Sequence, residues 1–378
     1  MRKTIYLCLA HMSEEGVEQK YVQEAFDTNW VVPLGPNVNG FEADLEAFVG
    51  EEKKVVVLSA GTAAVHLALL ACGVGVGDEV LVQSFTFCAS SHPITYLGAT
   101  PVFVDSEADT WNMDPVLLEE AIKDRIAKTG KKPKAIVPVA LYGMPYDCER
   151  IMEVANRYDI PVVEDAAEGF GSKFNGQMLG TFGKFGVLSF NGNKMITTSG
   201  GGALITPTQE AKQRAMFYAT QARENAPHYQ HEEIGYNYRM SNICAGIGRG
   251  QMYVLDEHVA RRRQIHTLYT ELLKDVDGVT IMQRPSDEYD SNYWLTCIIV
   301  DPEKAGFTRE DLRLKMDEEQ IETRPLWKPM HLQPVFADAP MYVNGVSEAL
   351  FNNGLCLPSG PMCTDEDIIR VAKVIINY

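Results

Sequence analysis

From Lys54 to Thr206 two kinds of pattern alternate along the chain. Short apolar runs, "KVVVLSAG", "EVLVQSFTF", "TPVFVDS", "KAIVPVALYG", "IPVVEDAAE", "FGVLSFN" and "GGALIT", are rich in Val, Ile and Phe. Between them lie stretches with apolar residues at helical spacing, such as "TAAVHLALLACGVG", "DPVLLEEAIKDRIAKTG" and "DCERIMEVANRYD". Near-continuous apolar strands separated by helices predict βαβ units and a mostly parallel sheet buried on both faces. The seven runs predict seven strands of an α/β fold. In such sheets a ligand sits at the carboxyl ends of the strands.

After "GYNYRMSN" the pattern turns helical from about Ser241 to Val276, with Ile247, Met252, Leu255, Val259, Ile265, Leu268 and Leu272 in phase and no proline. A helix or helix pair of this length is expected to bridge two domains. "GVTIMQRP", "YWLTCIIVD" and "IETRPLWKPM" then predict strands of a smaller α+β domain. "TDEDIIRVAKVIIN" predicts a closing amphipathic helix capped by Thr364. The expected division is 1–255 for the large domain and 256–378 for the small one.

Composition narrows the function classes. Of 378 residues, 46% are hydrophobic and 22% charged, ordinary for a globular protein with a large core. A formal charge of -17 argues against nucleic acid and against anionic lipid as partners. It leaves room for a small anion held by a few arginines or a helix start. None of the eight cysteines forms a CxxC pair, and reduced thiols in or near the core are expected. The early run "IYLCLA" is too short for a signal-peptide core, and no segment approaches the roughly 18 apolar residues of a membrane span. A cytoplasmic protein is expected.

Three polar features fall at predicted strand ends. In "SAGTAAVHLAL" a strand ends, small residues turn and a helix begins, so its free N–H groups and the Thr62 hydroxyl form a ready anion site. The spacing is not GxGxxG, and a plain strand-to-helix turn would look the same. In "VVEDAAEGFGS" Asp165 closes an apolar strand, where a carboxylate needs a partner, a cap role or a cavity. A functional role would be to keep a heterocyclic nitrogen protonated. Period-2 alternation turns Glu164 away from the face that Asp165 uses. In "SFNGNKMITTSGGG" Lys194 stands between a strand and a glycine run. One such lysine alone is ordinarily a surface residue. An anion-binding helix start, an acidic strand end and a lysine, in that order, are the signature of a Schiff-base lysine and an aspartate around pyridoxal phosphate.

The motifs "NWVVPLGPNVNGFE", "LSAGTAAVHLALLACGV", "QSFTFCASSHPI", "VEDAAEGFGS", "FGVLSFNGNKMITTSGGG", "IGYNYRMSN" and "ETRPLWKPMHLQPVF" together resemble the DegT/DnrJ-type sugar-nucleotide aminotransferases over nearly the whole chain. That resemblance implies the type I aminotransferase fold of pyridoxal-phosphate enzymes. It implies Lys194 as the Schiff-base lysine and Asp165 as partner of the pyridinium nitrogen. Gly61, Thr62, Ala63 and Ser189 would hold the cofactor phosphate. Phe87 would stack on the ring, Glu168 would lie near it, and Asn237 would reach the phosphate of a neighbouring subunit in a homodimer with shared active sites. Arg223, His228, Tyr229, Arg239, Arg324, Trp327, Lys328 and His331 are the candidates for a UDP-linked keto sugar, with L-glutamate as amino donor. "FNGNKMITTSGGG", "TQAREN" and "ETRPLWKPMH" look most like the enzymes that aminate C4 of UDP-4-keto-6-deoxy-N-acetylglucosamine on the route to bacillosamine. Other acceptors, dTDP- or GDP-linked, or amination at C3, stay open, as does a non-catalytic sugar-nucleotide binder on the same fold. No metal site is expected: His228 and His231 lack a third ligand nearby. "RRR" at 261–263 is expected to be a solvated helix face.

Overall fold

A computed structural model describes residues 3–50 and 52–378. Seven strands form the frame: β1 Lys54–Leu58, β2 Glu79–Gln83, β3 Thr100–Val104, β4 Ala135–Val137, β5 Val163–Asp165, β6 Phe185–Ser189 and β7 Gly202–Thr206. One half of the sheet runs β1-β7-β6-β5 and the other β4-β2-β3, with Met341–Tyr342 added beside β3. Parallel bridges Ile136–Val162 and Val139–Asp165 join β4 to β5. Pairs β2/β3, β2/β4 and β5/β6 are parallel, whereas β7 is antiparallel to β1 and β6. The reversal follows from the chain: a parallel pair is usually joined through a crossover helix, and no helix separates β6 from β7. β1, β5 and β6 therefore present their carboxyl ends on one edge, where the β6–β7 loop also lies.

Alternation along β1 shows how the sheet is buried. Val55 and Val57 enter one core, under the helices Pro36–Val49, Pro115–Thr129 and Cys148–Arg157. Val56 and Leu58 enter the other, under Gly61–Ala71 and Gln209–Ala219. Both faces are covered, which is why these strands read as continuous apolar runs. β4 stops after three residues because Pro138 has no N–H to extend the ladder.

The long helical pattern is a pair. Asn242–Met252 is capped by the Ser241 hydroxyl, which accepts from Ile243 N at 3.2 Å. After a turn at Tyr253 and Val254 the chain resumes as Leu255–Leu273. Leu255 and Val259 pack in the sheet's core, while Ile265, Tyr269 and Leu273 pack in a separate core around a second sheet. That second sheet is antiparallel, ordered Val279–Ile281, Thr296–Val300, Gly354–Leu357, Arg324–Pro325. "IETRPLWKPM" contributes only two strand residues, because Pro325 and Pro329 remove ladder donors. Ile5, from the start of the chain, also joins this core, bonded to Gln320 and Glu322 through its backbone. Thr364 caps the last helix in a reciprocal box with Asp367.

The arginine run is not a solvated face throughout. Arg261 reaches Asp365 and the Cys363 carbonyl, and Arg263 bonds the Ser291 carbonyl. Arg262 is 1% exposed and donates to the carbonyls of Trp294 and Ser359 and to Cys8 Sγ. Its helix position faces inward, so it ties together three separate segments. All eight cysteines are free thiols, each buried or half-buried. Among the described residues no helix is long and apolar enough to cross a membrane.

Candidate active site

A cavity of about 300 Å³ opens at the edge where β1, β5 and β6 end. The helix Gly61–Ala71 starts on its wall. The residue before that helix, Ala60, is extended and has no side chain that could cap it, so first-turn N–H groups are left for a ligand. The wall is drawn tight by glycine: a Cβ on Gly202 would lie 2.4 Å from Gly61 N, and one on Gly61 would lie 3.0 Å from Ser189 Cβ. Ser189 closes β6 beside this turn and lines the cavity with Gly61 and Thr62. Ala63 is the next residue of the same turn.

Asp165 enters from the end of β5 and is 5% exposed. Ser90 Oγ donates to Oδ2 at 2.6 Å, and Ala167 N donates to Oδ1 at 3.1 Å. Thr86 Oγ1 lies 2.8 Å from Ser90 Oγ and extends the chain of hydroxyls. Burial pushes the Asp165 carboxyl up, and Ser90, the Ala167 amide and the Lys194 charge pull it back. Each oxygen keeps lone-pair capacity toward the cavity, which suits a positively charged ring N–H. Glu164 does point the other way, accepting from the amides of Gly180 and Gly183.

Lys194 sits in the β6–β7 loop and reaches back into the cavity. Its Nζ is 3.1 Å from Glu168 Oε1 and 4.1 Å from the centre of the Trp294 ring. Trp294 is 1% exposed, and its Nε1 donates to the carbonyl of Asn193 at 2.8 Å. The Cys8 thiol donates to the same carbonyl at 3.0 Å, so the residue before the lysine is held from two sides. Glu168 is fixed in turn: Tyr142 N donates to its Oε2 at 2.7 Å, and Asn292 Nδ2 to its main-chain carbonyl at 2.9 Å. Phe87 is half exposed at the rim, its ring 5.5 Å from that of Trp327. Trp327 Nε1 is buried without a hydrogen-bond partner.

Of the residues singled out from the sequence, Gly61, Thr62, Phe87, Asp165, Glu168, Ser189, Lys194 and Trp327 line this one cavity. Lys328 lines an adjoining groove of about 320 Å³, which shares Thr86, Phe87 and Trp327 with the cavity. The others lie elsewhere in the single chain. Asn237 is exposed and pairs by backbone with Thr220. Arg223 lies over the ring of Tyr229, itself 79% exposed, and His228 contacts Gln230. His231 bonds the Gln221 carbonyl. Arg239 pairs by backbone with Leu58, and its Nε is buried without a hydrogen-bond partner. Arg324 is exposed and paired with Glu322. His331 Nδ1 lies 2.6 Å from Ser84 Oγ at the end of β2, where burial lowers its pKa. That bond anchors the segment after Trp327 to the sheet. Ser90, Tyr142, Asn292 and Trp294 were not evident in the sequence: each meets its partner only through the fold. A larger depression of about 560 Å³, lined by Lys131, Lys132, Lys134 and Lys184, lies at the opposite end of β4 and holds no comparable cluster.

Residues 12–376 match the model of the DegT/DnrJ/EryC1/StrS aminotransferase family. The pyridoxal phosphate-dependent aminotransferase EpsN of Bacillus subtilis (strain 168), so named provisionally, is 48% identical over 100% of this chain and 96% of its own length. GDP-perosamine synthase of Escherichia coli O157:H7 is 37% identical over 99% of this chain and 98% of its own. The crystal structure of a DegT DnrJ EryC1 StrS aminotransferase from Brucella abortus superposes with a TM-score of 0.89 at 30% identity, covering 96% of this chain and 95% of that one. One of these relatives is named for a GDP-linked sugar and the others for none, so the finer likeness to UDP-sugar enzymes of the bacillosamine route does not follow from them.

Proposed function

As a member of the DegT/DnrJ/EryC1/StrS aminotransferase family, this chain is a pyridoxal-phosphate-dependent sugar aminotransferase, and we propose that it moves an amino group from L-glutamate to C4 of a UDP-linked 4-keto-6-deoxy-N-acetylhexosamine. The observation that carries the catalytic part is the meeting of Lys194 and Asp165, from different elements, across one cavity whose wall is an uncapped helix start. The cavity fits the cofactor on its own terms. The glycine-lined turn leaves room for a phosphate against backbone N–H groups, Asp165 keeps free acceptor capacity, and Trp327 Nε1 is a buried donor without a partner.

In this reading Gly61, Thr62, Ala63 and Ser189 hold the phosphate. Asp165 accepts from the ring nitrogen and keeps it protonated. Bound pyridoxal phosphate supplies an electron sink that stabilises the negative charge left at the carbon losing its proton. Lys194 supplies the amine that removes that proton from the donor and later returns one to the acceptor sugar. Trp294 beneath its Nζ and Glu168 beside it keep the amine aimed into the cavity. Phe87 covers the ring from the rim and, with Trp327, walls the passage to the adjoining groove. That groove, with Lys328 at its border, is our candidate for the sugar and its nucleotide. His331 is held by Ser84, whereas Arg324 is exposed in a surface ion pair with Glu322 that a phosphate could displace, and it stays a candidate for substrate contact.

The UDP-N-acetylhexosamine assignment rests on the likeness of "FNGNKMITTSGGG", "TQAREN" and "ETRPLWKPMH" to enzymes of that class. The relative named GDP-perosamine synthase favours a GDP-linked alternative. We further propose a homodimer in which Asn237, with Arg223, His228 and Tyr229 on the same exposed stretch and the half-buried Arg239 after it, serves the partner's site. Turnover of UDP-, GDP- and dTDP-linked 4-keto sugars, with glutamate consumption followed and the product's amino carbon fixed by NMR, tests the assignment. Preference for the UDP sugar with nitrogen on C4 is the expected result. Preference for the GDP sugar would replace it with the alternative.

A further inference from the structure

The Lys194–Glu168 contact is an ion pair between a lysine that must act as a free amine and a carboxylate that cannot leave. Resting on the reading that Lys194 binds pyridoxal phosphate, we infer that Glu168 takes the ammonium proton of Lys194 when the lysine amine is committed to the cofactor, and stores it inside the site.

Nζ and Oε1 are 3.1 Å apart, and the two side chains are 13% and 4% exposed. The proton therefore has a direct path to Oε1, on a carboxylate that its own burial screens from solvent. Glu168 is immobilised by Tyr142 N on Oε2 and by Asn292 Nδ2 on its own carbonyl, so it stays in place if the lysine swings toward the cofactor. Tyr142 holds a left-handed backbone at φ 54 to aim that amide. The other groups facing Glu168 offer no better acceptor. Asp165 is engaged by Ser90 and Ala167 and, in this reading, gives its remaining acceptor capacity to the ring nitrogen; the Tyr142 hydroxyl accepts from Trp327 N, and the Cys297 thiol is fully buried. Trp294 presents only its ring to Nζ.

The step balances without any co-reactant. One N–H bond of the Lys194 ammonium breaks, one O–H bond forms on Glu168 Oε1, and the lysine keeps the electron pair it needs as a nucleophile. Lysine and glutamate go from plus one and minus one to neutral, so the buried pair carries no net charge before or after. The energetic direction is set by burial. While the ammonium is present it offsets the cost of a carboxylate out of water; once it is gone, Glu168 as an anion would keep a single N–H donor. Burial already pushes the Glu168 carboxyl up, with the Lys194 charge the main opposing pull.

The experiment is infrared difference spectroscopy of the cofactor-free protein before and after addition of pyridoxal phosphate, made with unlabelled and with 13C-glutamate-labelled protein. The expected result is a new carbonyl-stretch band of a protonated carboxyl that moves to lower frequency with 13C-glutamate and is lost in Glu168→Gln. If the yellow cofactor complex forms without such a band, or with a band that ignores the glutamate label, the inference is overturned. If Glu168→Gln does not fold, Glu168→Asp replaces it: the band should persist there and no longer follow the glutamate label. If no yellow complex forms at all, the underlying reading of Lys194 fails, a result distinct from the others.

Discussion

Asp165 owes its usefulness to a side chain 75 positions away. Ser90 donates to it at 2.6 Å and favours the ionised form of a buried carboxyl that desolvation pushes up. A hydrogen bond to a charged group contributes about 1.5–3 kcal/mol, so Ser90→Ala should lower kcat by roughly one to two orders of magnitude while glutamate's KM changes little. Steady-state kinetics checks this; unaltered kcat would remove Ser90 from the account. His258 supplies a pH test. It is 4% exposed against the Met195 carbonyl, beside the lysine loop, and burial holds its pKa down at about 4. Its surroundings include Arg262, His11 and Glu18. A histidine depressed below its unfolded pKa of about 6.5 contributes stability that is complete above that pH and is lost as pH falls toward 4, up to about 3 kcal/mol. His258→Asn keeps an N–H for Met195, so its urea midpoint should drop less between pH 7 and pH 5 than that of the unaltered protein. Equal drops would contradict this. Residues such as Ser90 and Trp294 were not legible in the sequence, because a serine in a turn and a tryptophan 100 positions from its lysine carry no local sign of their partner. Lys194 and Asp165 were legible because each follows an apolar strand at the end where ligands gather.

Among the elements, the uncapped helix Gly61–Ala71 and strand β7 depend on each other. Gly202 opens β7 at a point where any side chain would meet the first helical amide at 2.4 Å. Gly202→Ala should therefore push the helix start off the phosphate position. The expected outcome is a loss of stability of about 1–3 kcal/mol and weaker pyridoxal phosphate binding, read by thermal melting and by cofactor titration. Unchanged cofactor affinity would show that the turn does not hold the phosphate. The seven strands of the main sheet were legible because both faces are buried, which makes each strand an apolar run. The reversal of β7, the two-residue strand at Arg324 and the edge strand Met341–Tyr342 were not. Loop length, two prolines and a pairing made by distant chain decide those, and apolar periodicity is blind to all three. The burial of Arg262 was likewise hidden within a run of three arginines that looks solvated as sequence.

At the scale of the whole molecule, the N-terminal stretch around the start of helix Pro36–Val49 leaves Phe26, Trp30, Val31, Val32 and Leu34 substantially exposed in a single chain. An apolar patch of this kind suits burial against a second copy. If the copies share sites through Asn237, Lys194→Ala and Asn237→Ala should each be impaired alone. Mixing and re-forming dimers should then restore roughly a quarter of the sites, since half of the dimers carry one intact pair. No recovery, with exchange verified by mass spectrometry, would place Asn237 outside the partner's site. The central claim concerns Lys194, and one measurement reaches it directly. The yellow protein is reduced with borohydride, digested, and its peptides are mapped by mass spectrometry. One phosphopyridoxyl group per chain is expected on Lys194, in "SFNGNKMITTSGGG"; a stable label on any other lysine, or none on a protein that binds the cofactor, would contradict the Schiff-base role.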